Sequence, residues 1–520
     1  MKNFLTILIL ASIQCVMAQH QNIKISTFNG PEEPSICVSY LNPQFIVAGS
    51  NMNNCYYSND GGLTWTRNGL SSTYGVAGDP CIISDKNGDF YYLHLSSPQD
   101  GNWLDRIVCQ KSTDNGETWS NGSFMGLEGS KDQDKQWATV DFSNNYIYTT
   151  WTQFDAYGSP SSSKKSNILF SRSEDNGETW SEAIQINELS GDCIDSDNTT
   201  EGAVPAVGPN GEVYVAWAYN NKIYFDRSLN KGVTWLDNDI EVATQPGGWD
   251  LTIPEINRCN GLPITCCDTS SSSHKGNIYI NWTDQRNGTD DTDVWLAKST
   301  DGGNTWSSPK RVNDDTTHTH QFLTWMAIDQ TNGVLYFVFY DRRAYDNETT
   351  DVYMAMSQDG GETFTNFKIS ETPFLPTGNV LFGDYNNITA HNNVVRPIWT
   401  RLNYSGGENG LSVWTAIIDT DIIGLDVNEV FPITEEVIYP NPATNLSFYS
   451  FKLRQKATVS LLLYDSYGRV VKNIIANKNL SAGKYVEQIN LKTENLLPGL
   501  YMYVLTYNNT SKVKKLIVTN

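Results

Sequence analysis

The sequence predicts an all-β chain: a β-propeller of seven blades, or alternatively six, followed by a small C-terminal β-sandwich. Three observations carry this prediction. The pattern Ser-x-Asp-x-Gly-x-Thr-Trp returns six times along the chain. Short alternating or apolar segments, typical of β-strands, precede the copies. Aromatic residues make up 12% of the chain and charged residues only 18%, which suits many short strands joined by tight turns.

The beginning of the chain has the features of an export signal, and we predict a signal peptide over residues 1–18. Lys2 supplies a positive start, residues 4–13 form an apolar run, and Ala18 ends a small-residue cleavage site. No later segment reaches the roughly 18 apolar residues that a membrane-spanning helix needs. We therefore expect a secreted or cell-surface protein without a membrane span.

The overall charge argues against nucleic acid as a partner. Lys and Arg together number 36 against 58 Asp and Glu, which gives a net charge of −22. A protein this acidic has no broad electrostatic attraction to phosphate backbones or anionic lipid. We expect it to bind no nucleic acid.

Eight cysteines remain once Cys15 is removed with the signal peptide. An even number in an exported chain permits disulfide bonds, whose pairing the sequence leaves open. Only Cys266 and Cys267 are close in sequence, and adjacent residues do not easily reach one tetrahedral ion, which argues against zinc. Structural disulfides and buried thiols are the two interpretations that remain.

A tight turn between two strands explains the recurring pattern. Asp or Asn and Ser side chains bond to turn amides, Gly accepts a positive φ, and the Thr-Trp pair returns to the sheet. The third positions of the six copies are Asp60, Asp114, Asp175, Asn230, Asp301 and Asp359. Successive copies lie 54 to 71 residues apart. Each interval has room for one four-stranded blade.

A seventh blade requires one strand from the beginning of the chain. After the sixth copy, residues 387–390, 394–399 and 411–417 supply three strands and no further copy of the pattern. The alternating segment 22–28 would add a fourth and close the ring, because an open edge between first and last blades is unfavourable. We assign residues 19–418 to the propeller, with six blades as the alternative.

The six copies resemble the Asp boxes of the sialidase-like β-propellers, over about residues 30–420. In those families the box is a structural turn on the outer rim, away from the central pocket. The resemblance implies a secreted glycoside hydrolase acting on extracellular glycans, exo-acting on an acidic terminal sugar. The alternative is a non-catalytic glycan-binding or adhesive propeller.

Three arginines are candidates for binding a substrate carboxylate. Arg286, Arg342 or Arg343, and Arg401 leave the same strand end in three successive repeats, so we expect them to converge on one side of the channel mouth. Guanidinium groups bind carboxylates with a forked set of donors, and the sialidase-like family uses an arginine triad in this way. The alternative is that each arginine pairs with a neighbouring acid, such as Asp284 or Asp341, within its own loop.

The resemblance also implies a tyrosine nucleophile, a carboxylate base and a separate carboxylic acid. Tyr385, late in the chain as in the family, is the nucleophile candidate, with Glu201 as its base and Asp134, or alternatively Asp79 or Asp100, as the acid. Each is alternatively a turn or cap residue. One departure counts against sialidase activity. The first arginine of the family's triad lies near the mature N-terminus, and residues 19–66 contain no arginine. Either another arginine replaces it or the pocket is not made for sialic acid.

The sequence contains no certain cofactor site, and calcium is the one candidate. Two acidic loops carry Asp290 with Asp293 and Asp346 with Asp351. Carboxylate oxygens are the ligands that calcium prefers. Neither loop has the spacing of an EF-hand, and solvated loops are the alternative.

The composition changes after residues 419–436, which we assign as a linker. Residues 437–520 contain eleven Lys or Arg and three Asp or Glu, in contrast to the acidic propeller. The segments 439–443 (YPNPA), 498–503 (PGLYMY) and 514–518 (KKLIV) resemble the C-terminal sorting domain of proteins exported by the type IX secretion system of the Bacteroidetes. This resemblance implies the type IX machinery as a partner. By themselves the same residues predict a small β-sandwich, which a carbohydrate-binding module would also form.

Overall fold

The regular secondary structure of the protein consists of β-strands. The computed structural model describes residues 20–402, 410–420, 433–453, 456–466, 468–494, 496–507 and 510–519. Within these ranges there is no α-helix, and therefore none with the length and apolar character needed to cross a membrane. The prediction of an all-β chain is confirmed. The chain divides into two compact units, Met1–Asp421 and Ile422–Asn520.

The first unit contains, over its described residues, seven four-stranded antiparallel sheets. The chain opens with β1 (Gln21–Ser26). Six sheets of consecutive strands follow: β2 (Ser35–Val38), β3 (Ile46–Ser50), β4 (Asn54–Ser58) and β5 (Thr66–Gly69); β6 (Cys81–Ser84), β7 (Phe90–Leu95), β8 (Ile107–Ser112) and β9 (Ser123–Met125); β10 (Asp132–Asp141), β11 (Tyr146–Phe154), β12 (Ser166–Ser173) and β13 (Ile184–Gln185); β14 (Glu201–Val207), β15 (Val213–Tyr219), β16 (Lys222–Ser228) and β17 (Ile240–Thr244); β18 (Ile264–Cys267), β19 (Ile278–Asp284), β20 (Asp293–Ser299) and β21 (Lys310–Arg311); β22 (Gln321–Asp329), β23 (Val334–Asp341), β24 (Asp351–Ser357) and β25 (Thr365–Lys368).

The seventh sheet joins the two ends of the unit. It contains β26 (Asn387–His391), β27 (Val394–Leu402) and β28 (Leu411–Ile417), and β1 pairs with the outer edge of β28. In that pairing Ile23 lies opposite Thr415. The N-terminal strand thus occupies an edge that would otherwise stay open, as expected for a sheet protein that avoids free edges.

The first strands of the seven sheets form a closed circuit. In chain order β2, β6, β10, β14, β18, β22 and β26 each lie against the next, and β26 lies against β2. These strands line a central cavity of about 500 Å³. Their regular side-by-side arrangement brings residues that are far apart in sequence to the same end of the ring.

Large aromatic side chains fill the space between adjacent sheets. Phe225 of β16 and Trp282 of β19 belong to one buried cluster. Trp306, from the fifth Asp box, packs edge-on against Phe225 with 5.0 Å between ring centroids. Trp235, from the fourth box, packs in the same way against Phe170 of the preceding sheet, also at 5.0 Å. The box tryptophan thus connects its own turn to a neighbouring sheet.

The Asp-box turn is held by the side chain at its third position. Asp175 Oδ1 accepts hydrogen bonds from the Ser173 hydroxyl and the Thr179 N–H, both at 2.9 Å, and Oδ2 accepts from the Thr179 hydroxyl at 2.5 Å. In the fourth copy Asn230 Oδ1 accepts the equivalent two bonds, and its Nδ2 donates to the Thr234 hydroxyl. These contacts fit the structural role that the sequence predicted for the box.

The eight cysteines of the described residues, Cys37 to Cys267, are free thiols. The predicted disulfide bonds are therefore not confirmed, and the structure has the alternative of unpaired, largely buried thiols. Burial raises the pKa of Cys37, Cys55 and Cys81 to about 12. A thiol with so high a pKa is a poor nucleophile and a poor metal ligand at neutral pH.

The second unit consists of two antiparallel sheets. The smaller contains β29 (Ile433–Tyr439), β30 (Leu446–Leu453) and β33 (Gly483–Asn490), in that order; the larger has the order β32 (Val470–Leu480), β31 (Ala457–Asp465), β34 (Gly499–Tyr507) and β35 (Thr510–Val518). Both contribute to one apolar core, in which Tyr449 of β30 packs on Tyr503 of β34 with 5.0 Å between ring centroids. The strand β29 begins at Ile433, within the segment that the sequence assigned to the linker.

Candidate functional site

The candidate site lies at the end of the ring where the first strands begin. Near this end, six of the seven sheets have a residue with positive φ: Glu33 (51°), Asp79 (50°), Lys135 (53°), Gly202 (76°), Leu323 (48°) and Gly383 (96°). For residues other than glycine this backbone conformation is strained, and such strain concentrates at functional sites. The recurrence of this conformation around the ring therefore indicates a candidate site formed by the side chains at this end.

Lys135 is the centre of a buried group of charges. Its ammonium nitrogen lies 2.6 Å from Asp384 Oδ2 and 3.6 Å from Asp79 Oδ2. Burial acts to lower the pKa of Lys135, but Asp384, Asp79, Asp134 and Glu33 outweigh it and raise the pKa well above its usual value. The lysine is therefore charged at any physiological pH.

A second cation reaches the same carboxylate from another loop. The Arg258 Nε donates a hydrogen bond to Asp384 Oδ1 at 2.6 Å, and its Nη2 donates to Oδ2. Arg258 Nη1 also lies 3.6 Å from Asp195 Oδ2. Burial acts to raise the pKa of Asp384, yet Lys135 and Arg258 together lower it. Asp384 is thus ionised and neutralised by two partners.

Other carboxyl groups at this end of the ring have the opposite property. Burial raises the pKa of Asp134 to about 7, with Asp79 and Asp195 adding to the effect against the opposing charge of Lys135. Burial also raises the pKa of Glu201 well above its usual range. The site therefore combines one ionised carboxylate with carboxyl groups that keep a proton near neutral pH.

Several polar atoms of the site have no protein partner. Glu201 Oε2 accepts a hydrogen bond from the Thr152 hydroxyl at 3.2 Å, but Oε1 is buried and accepts none. Asp79 Oδ2 and the Tyr385 hydroxyl are likewise buried without a hydrogen-bond partner. Leaving such atoms unpaired costs about 1 to 3 kcal/mol each, so they are available to a ligand or to water.

An aromatic group lies between the site and the central cavity. The ring of Trp137 packs against Trp325 at 4.4 Å and against Tyr385 at 5.0 Å between centroids. Trp137 and Trp325 also line the 500 Å³ cavity. A second cavity of about 340 Å³, beside the site, is lined by Glu32 and Asn51 among other residues. Burial raises the pKa of Glu32 to about 7.

The structure gives Tyr385 different surroundings from the other two predicted catalytic residues, Asp134 and Glu201. Asp134 and Glu201 both lie near Lys135 and Asp195, which affect their pKa values. Tyr385 has a raised pKa because of burial and, next, Asp79 and Glu33. No hydrogen bond joins Tyr385 to Glu201 among the described contacts, and Asp79 is the acid with the largest charge effect on the tyrosine.

The three predicted substrate-binding arginines have hydrogen-bond partners within the protein. Their closest polar partners are Asp284 and the Thr244 carbonyl for Arg286, Asp341 and Asp314 for Arg343, and Thr372 with the Pro373 carbonyl for Arg401. No partner is shared between any two of the three in the described contacts. The loop-pairing alternative describes Arg286 and Arg343, which pair with Asp284 and Asp341. Arg401 bonds to Thr372 instead, and its buried Nε has no hydrogen-bond partner.

Two of the four calcium candidates are exposed, and the other two accept hydrogen bonds within the protein. Asp290 and Asp346 are exposed. Asp293 accepts hydrogen bonds from two asparagine amides, and Asp351 accepts from the Tyr345 and Ser370 hydroxyls. Across the described ranges, no group of three or more His, Cys, Asp or Glu side chains is arranged to hold a metal ion. Calcium binding stays a prediction.

Sequence reasoning missed Lys135, Arg258, Glu33 and Asp384 as site residues. Lys135 and Asp384 lie in segments that the strand pattern identifies as leading into first strands, but their pairing across 249 positions has no local signal. Glu33 does have a local signal, because Glu33-Pro34 repeats the acid-proline pair Asp79-Pro80 before a first strand. Arg258 lies in a loop without any pattern.

Two parts of the chain match protein-family models. Residues 56–67 match the BNR/Asp-box repeat, and residues 437–519 match the secretion system C-terminal sorting domain. Both resemblances noted in the sequence are confirmed. The second match indicates export by the type IX system to the cell surface or the medium. No curated protein matches the chain in sequence.

Solved structures with a similar fold include sialidases and other proteins. A protein of unknown function from Dyadobacter fermentans has a TM-score of 0.44 at 14% identity, over 76% of this chain and 99% of its own. The NanB sialidase from Streptococcus pneumoniae has a TM-score of 0.43 at 9% identity, over 73% and 84%. An α-L-arabinofuranosidase from Fusarium graminearum has a TM-score of 0.43 at 12% identity, over 65% and 97%. Similarity at this level does not extend to activity.

Proposed function

We propose that the protein is a secreted glycoside hydrolase, in which a seven-bladed propeller carries the active site and a C-terminal β-sandwich directs export. The closed circuit of seven first strands and the pairing of β1 with β28 support seven blades. The two sheets that share one core support the sandwich. The substrate is an extracellular glycan, since the sorting domain takes the chain out of the cell.

One observation carries the enzymatic proposal: buried carboxyl groups with unpaired oxygens surround Lys135. Glycoside hydrolysis requires one carboxyl group that keeps its proton to protonate the leaving oxygen, and a second that is ionised. Asp134, with its raised pKa, is suited to the first role. Asp79 is the candidate for the second, because its Oδ2 lies 3.6 Å from the Lys135 ammonium group and has no hydrogen-bond partner.

Tyr385 and Glu201 have modified roles in this proposal. Asp79 is a better candidate than Glu201 for the base beside Tyr385, because Asp79 has the larger effect on the tyrosine pKa. Glu201, with its free Oε1, would hydrogen-bond to a substrate hydroxyl. The acidic terminal sugar expected from the sequence depends on Arg286, Arg343 and Arg401, and the first two of these already pair with Asp284 and Asp341.

A non-catalytic glycan-binding propeller is the second candidate. It is favoured by the Tyr385 hydroxyl, which has no hydrogen bond to any described carboxylate. A nucleophile normally lies within hydrogen-bond reach of its base, although such bonds are often long without substrate. A binding site would need the free polar atoms but no such pair.

A hydrolysis screen tests the proposal. The mature protein and its Asp134→Asn variant would be incubated with neutral, uronate-containing and sialylated oligosaccharides, and released sugars would be measured. We expect wild-type hydrolysis of at least one oligosaccharide, and a loss of about 10²- to 10⁴-fold in kcat for the variant. Asp237→Asn, at an exposed position between β16 and β17, is the control and should keep full activity. Binding without hydrolysis by the wild type would favour the second candidate.

A further inference from the structure

Trp103 is an exposed tryptophan close to the candidate site. It lies between β7 and β8, and 58% of its surface is exposed, whereas every other tryptophan in the described ranges is buried or half-buried. Tryptophan is usually largely buried, because burial of its apolar surface stabilises the fold. Its position therefore calls for an explanation other than core packing.

Hydrogen bonds anchor the loop around Trp103 on the side that faces β10. The Leu104 N–H donates to the Ser96 carbonyl, and the Gln133 N–H donates to the Leu104 carbonyl at 2.7 Å. The buried Asp105 carboxylate accepts hydrogen bonds from Ser96 at 2.9 Å and Arg106 at 2.7 Å. A side chain presented on a fixed backbone loses little entropy when it binds a ligand.

A chain of contacts connects Trp103 to the carboxyl groups around Lys135. The Trp103 ring packs edge-on to Tyr157 with 6.4 Å between centroids. The Tyr157 hydroxyl donates to Asp195 Oδ2 at 2.8 Å, and Asp195 Oδ2 lies 3.6 Å from Arg258. Asp134 and Lys135 are also close enough to affect the pKa of Tyr157. The indole is thus at the rim of the same site.

The charge of the site determines which ligands fit beside the indole. The carboxyl side chains that act on one another there are Glu32, Glu33, Asp79, Asp134, Asp195, Glu201 and Asp384, and the cations among them are Lys135 and Arg258. Both cations already contact Asp384. Among these side chains an anionic sugar would meet carboxyl groups and two cations that are already paired, whereas sugar hydroxyls donate to carboxylates and accept from protonated carboxyl groups.

We propose that Trp103 is a stacking subsite for a neutral oligosaccharide, so that one sugar ring lies among the carboxyl groups and the next lies on the indole. The apolar C–H face of a sugar ring suits a flat indole, while its hydroxyls remain in water. The proposal rests on the proposed glycan-directed function. It extends that function by requiring a ligand of at least two rings without carboxylate or sulfate groups.

Binding measurements on the full mature protein test the subsite. Calorimetry would compare neutral xylo-, arabino- and manno-oligosaccharides of one to four rings with sialyllactose and oligogalacturonides. For at least one neutral series we expect affinity to increase from one ring to two or more. Trp103→Ala should remove that increase, with about a tenfold loss for the longer sugars and no change for the single ring. Trp103→Phe should restore part of it.

Phe142→Ala is the matched control. Phe142 is a partly exposed aromatic residue that follows β10 at the opposite end from Asp132, and it stacks on Tyr40 with 4.3 Å between centroids. This variant should bind the sugars like the wild type. Thermal unfolding of each variant confirms that the fold is intact.

The subsite and the hydrolase proposal fail in different ways. Length-dependent binding that needs Trp103 but is not followed by hydrolysis would support the subsite and contradict the enzyme. Equal affinity of the wild type and Trp103→Ala for the longer sugars would overturn the subsite even if hydrolysis is observed. So would tighter binding of the anionic sugars than of every neutral series, or an absence of binding to all of the neutral sugars.

Discussion

The ammonium nitrogen of Lys135 lies 2.6 Å from Oδ2 of Asp384, and 4% and 2% of the two side chains are exposed. Lys135 lies in β10 of the third sheet and Asp384 lies three residues before β26 of the seventh, so their ion pair connects distant parts of the ring. The pair also lowers the pKa of Asp384, whereas burial raises the pKa of the nearby Asp134 to about 7. The same contact therefore contributes to the stability of the ring and to the chemistry of the site.

Replacing Lys135 by Met should destabilise the first unit by about 3 to 5 kcal/mol, because buried carboxylates lose their compensating charge. Denaturant unfolding of the mature protein would measure the loss. The double variant Lys135→Met with Asp384→Asn should recover part of the stability. Lys222→Met, which removes an exposed pair with Glu241, is the control and should have no measurable effect. Equal stability of Lys135→Met and the wild type would contradict the prediction.

Stability should fall as the pH rises from about 4 to about 7. The pKa of Asp134 is about 7 in the folded protein, against 3.8 for an unperturbed Asp. The folded state therefore holds a proton that the unfolded state has lost, and this contribution is present below pH 4 and disappears as the pH passes 7.

The Asp134→Asn variant isolates that contribution. Asparagine does not ionise, and its Oδ1 can still accept the hydrogen bond from the Lys135 N–H, which is 2.9 Å long in the wild type. Relative to the wild type, the variant should gain stability steadily between pH 4 and pH 7. The unfolding free energies of both proteins would be measured across that range. Parallel curves for the two proteins would contradict a protonated Asp134.

Two substitutions of Asp175 test whether its hydrogen bonds hold the Asp-box turn. Asp175→Ala removes three hydrogen bonds in a largely exposed turn and should cost about 1 kcal/mol after screening by solvent. Asp175→Asn should be close to neutral, because the fourth box already uses Asn230 with equivalent bonds. Thermal unfolding of both variants distinguishes them. If the two lose equal stability, the negative charge rather than the hydrogen bonds holds the turn.

The sequence predicted the strands and turns because their signals are local. Each Asp box is complete within eight residues, and the missing fourth strand after the sixth box pointed to residues 22–28, which overlap β1. The carboxyl site could not be predicted in the same way. Asp384 meets Lys135 and Arg258 only when the ring closes, and nothing near Arg258 in sequence indicates its partner. For the arginines the sequence left two alternatives open, convergence and local pairing; in the structure Asp284, two residues before Arg286, bonds to its guanidinium group.

Removal of residues 437–520 should block export without unfolding the first unit. The family match over 437–519 and the division of the chain at Asp421 make the sorting domain a separate part. In a host with a type IX system, cell fractionation should find the truncated protein inside the cell and the full chain outside. Protease resistance of the retained protein would verify its fold. Normal amounts in the medium would contradict the assignment of the tail.

Arg343→Ala should weaken the fold rather than the binding of anionic sugars. Its Nε donates to Asp341 Oδ2 at 2.8 Å, and the Asp341 side chain is fully buried. Without the arginine, that carboxyl group is left uncompensated, and we expect a loss of about 3 kcal/mol in unfolding free energy. The double variant Arg343→Ala with Asp341→Asn should recover part of this stability.

Calorimetry with sialic acid and galacturonic acid completes this test of the arginine set. Because Asp341 and Asp314 already occupy the donors of Arg343, its removal should leave the affinity for both sugars unchanged within error. A loss of anionic-sugar affinity of tenfold or more, at unchanged stability, would mean that the guanidinium leaves its loop partners to bind substrate. That result would restore the acidic terminal sugar as the substrate and would move the active site from the carboxyl groups around Lys135 to the arginine loops.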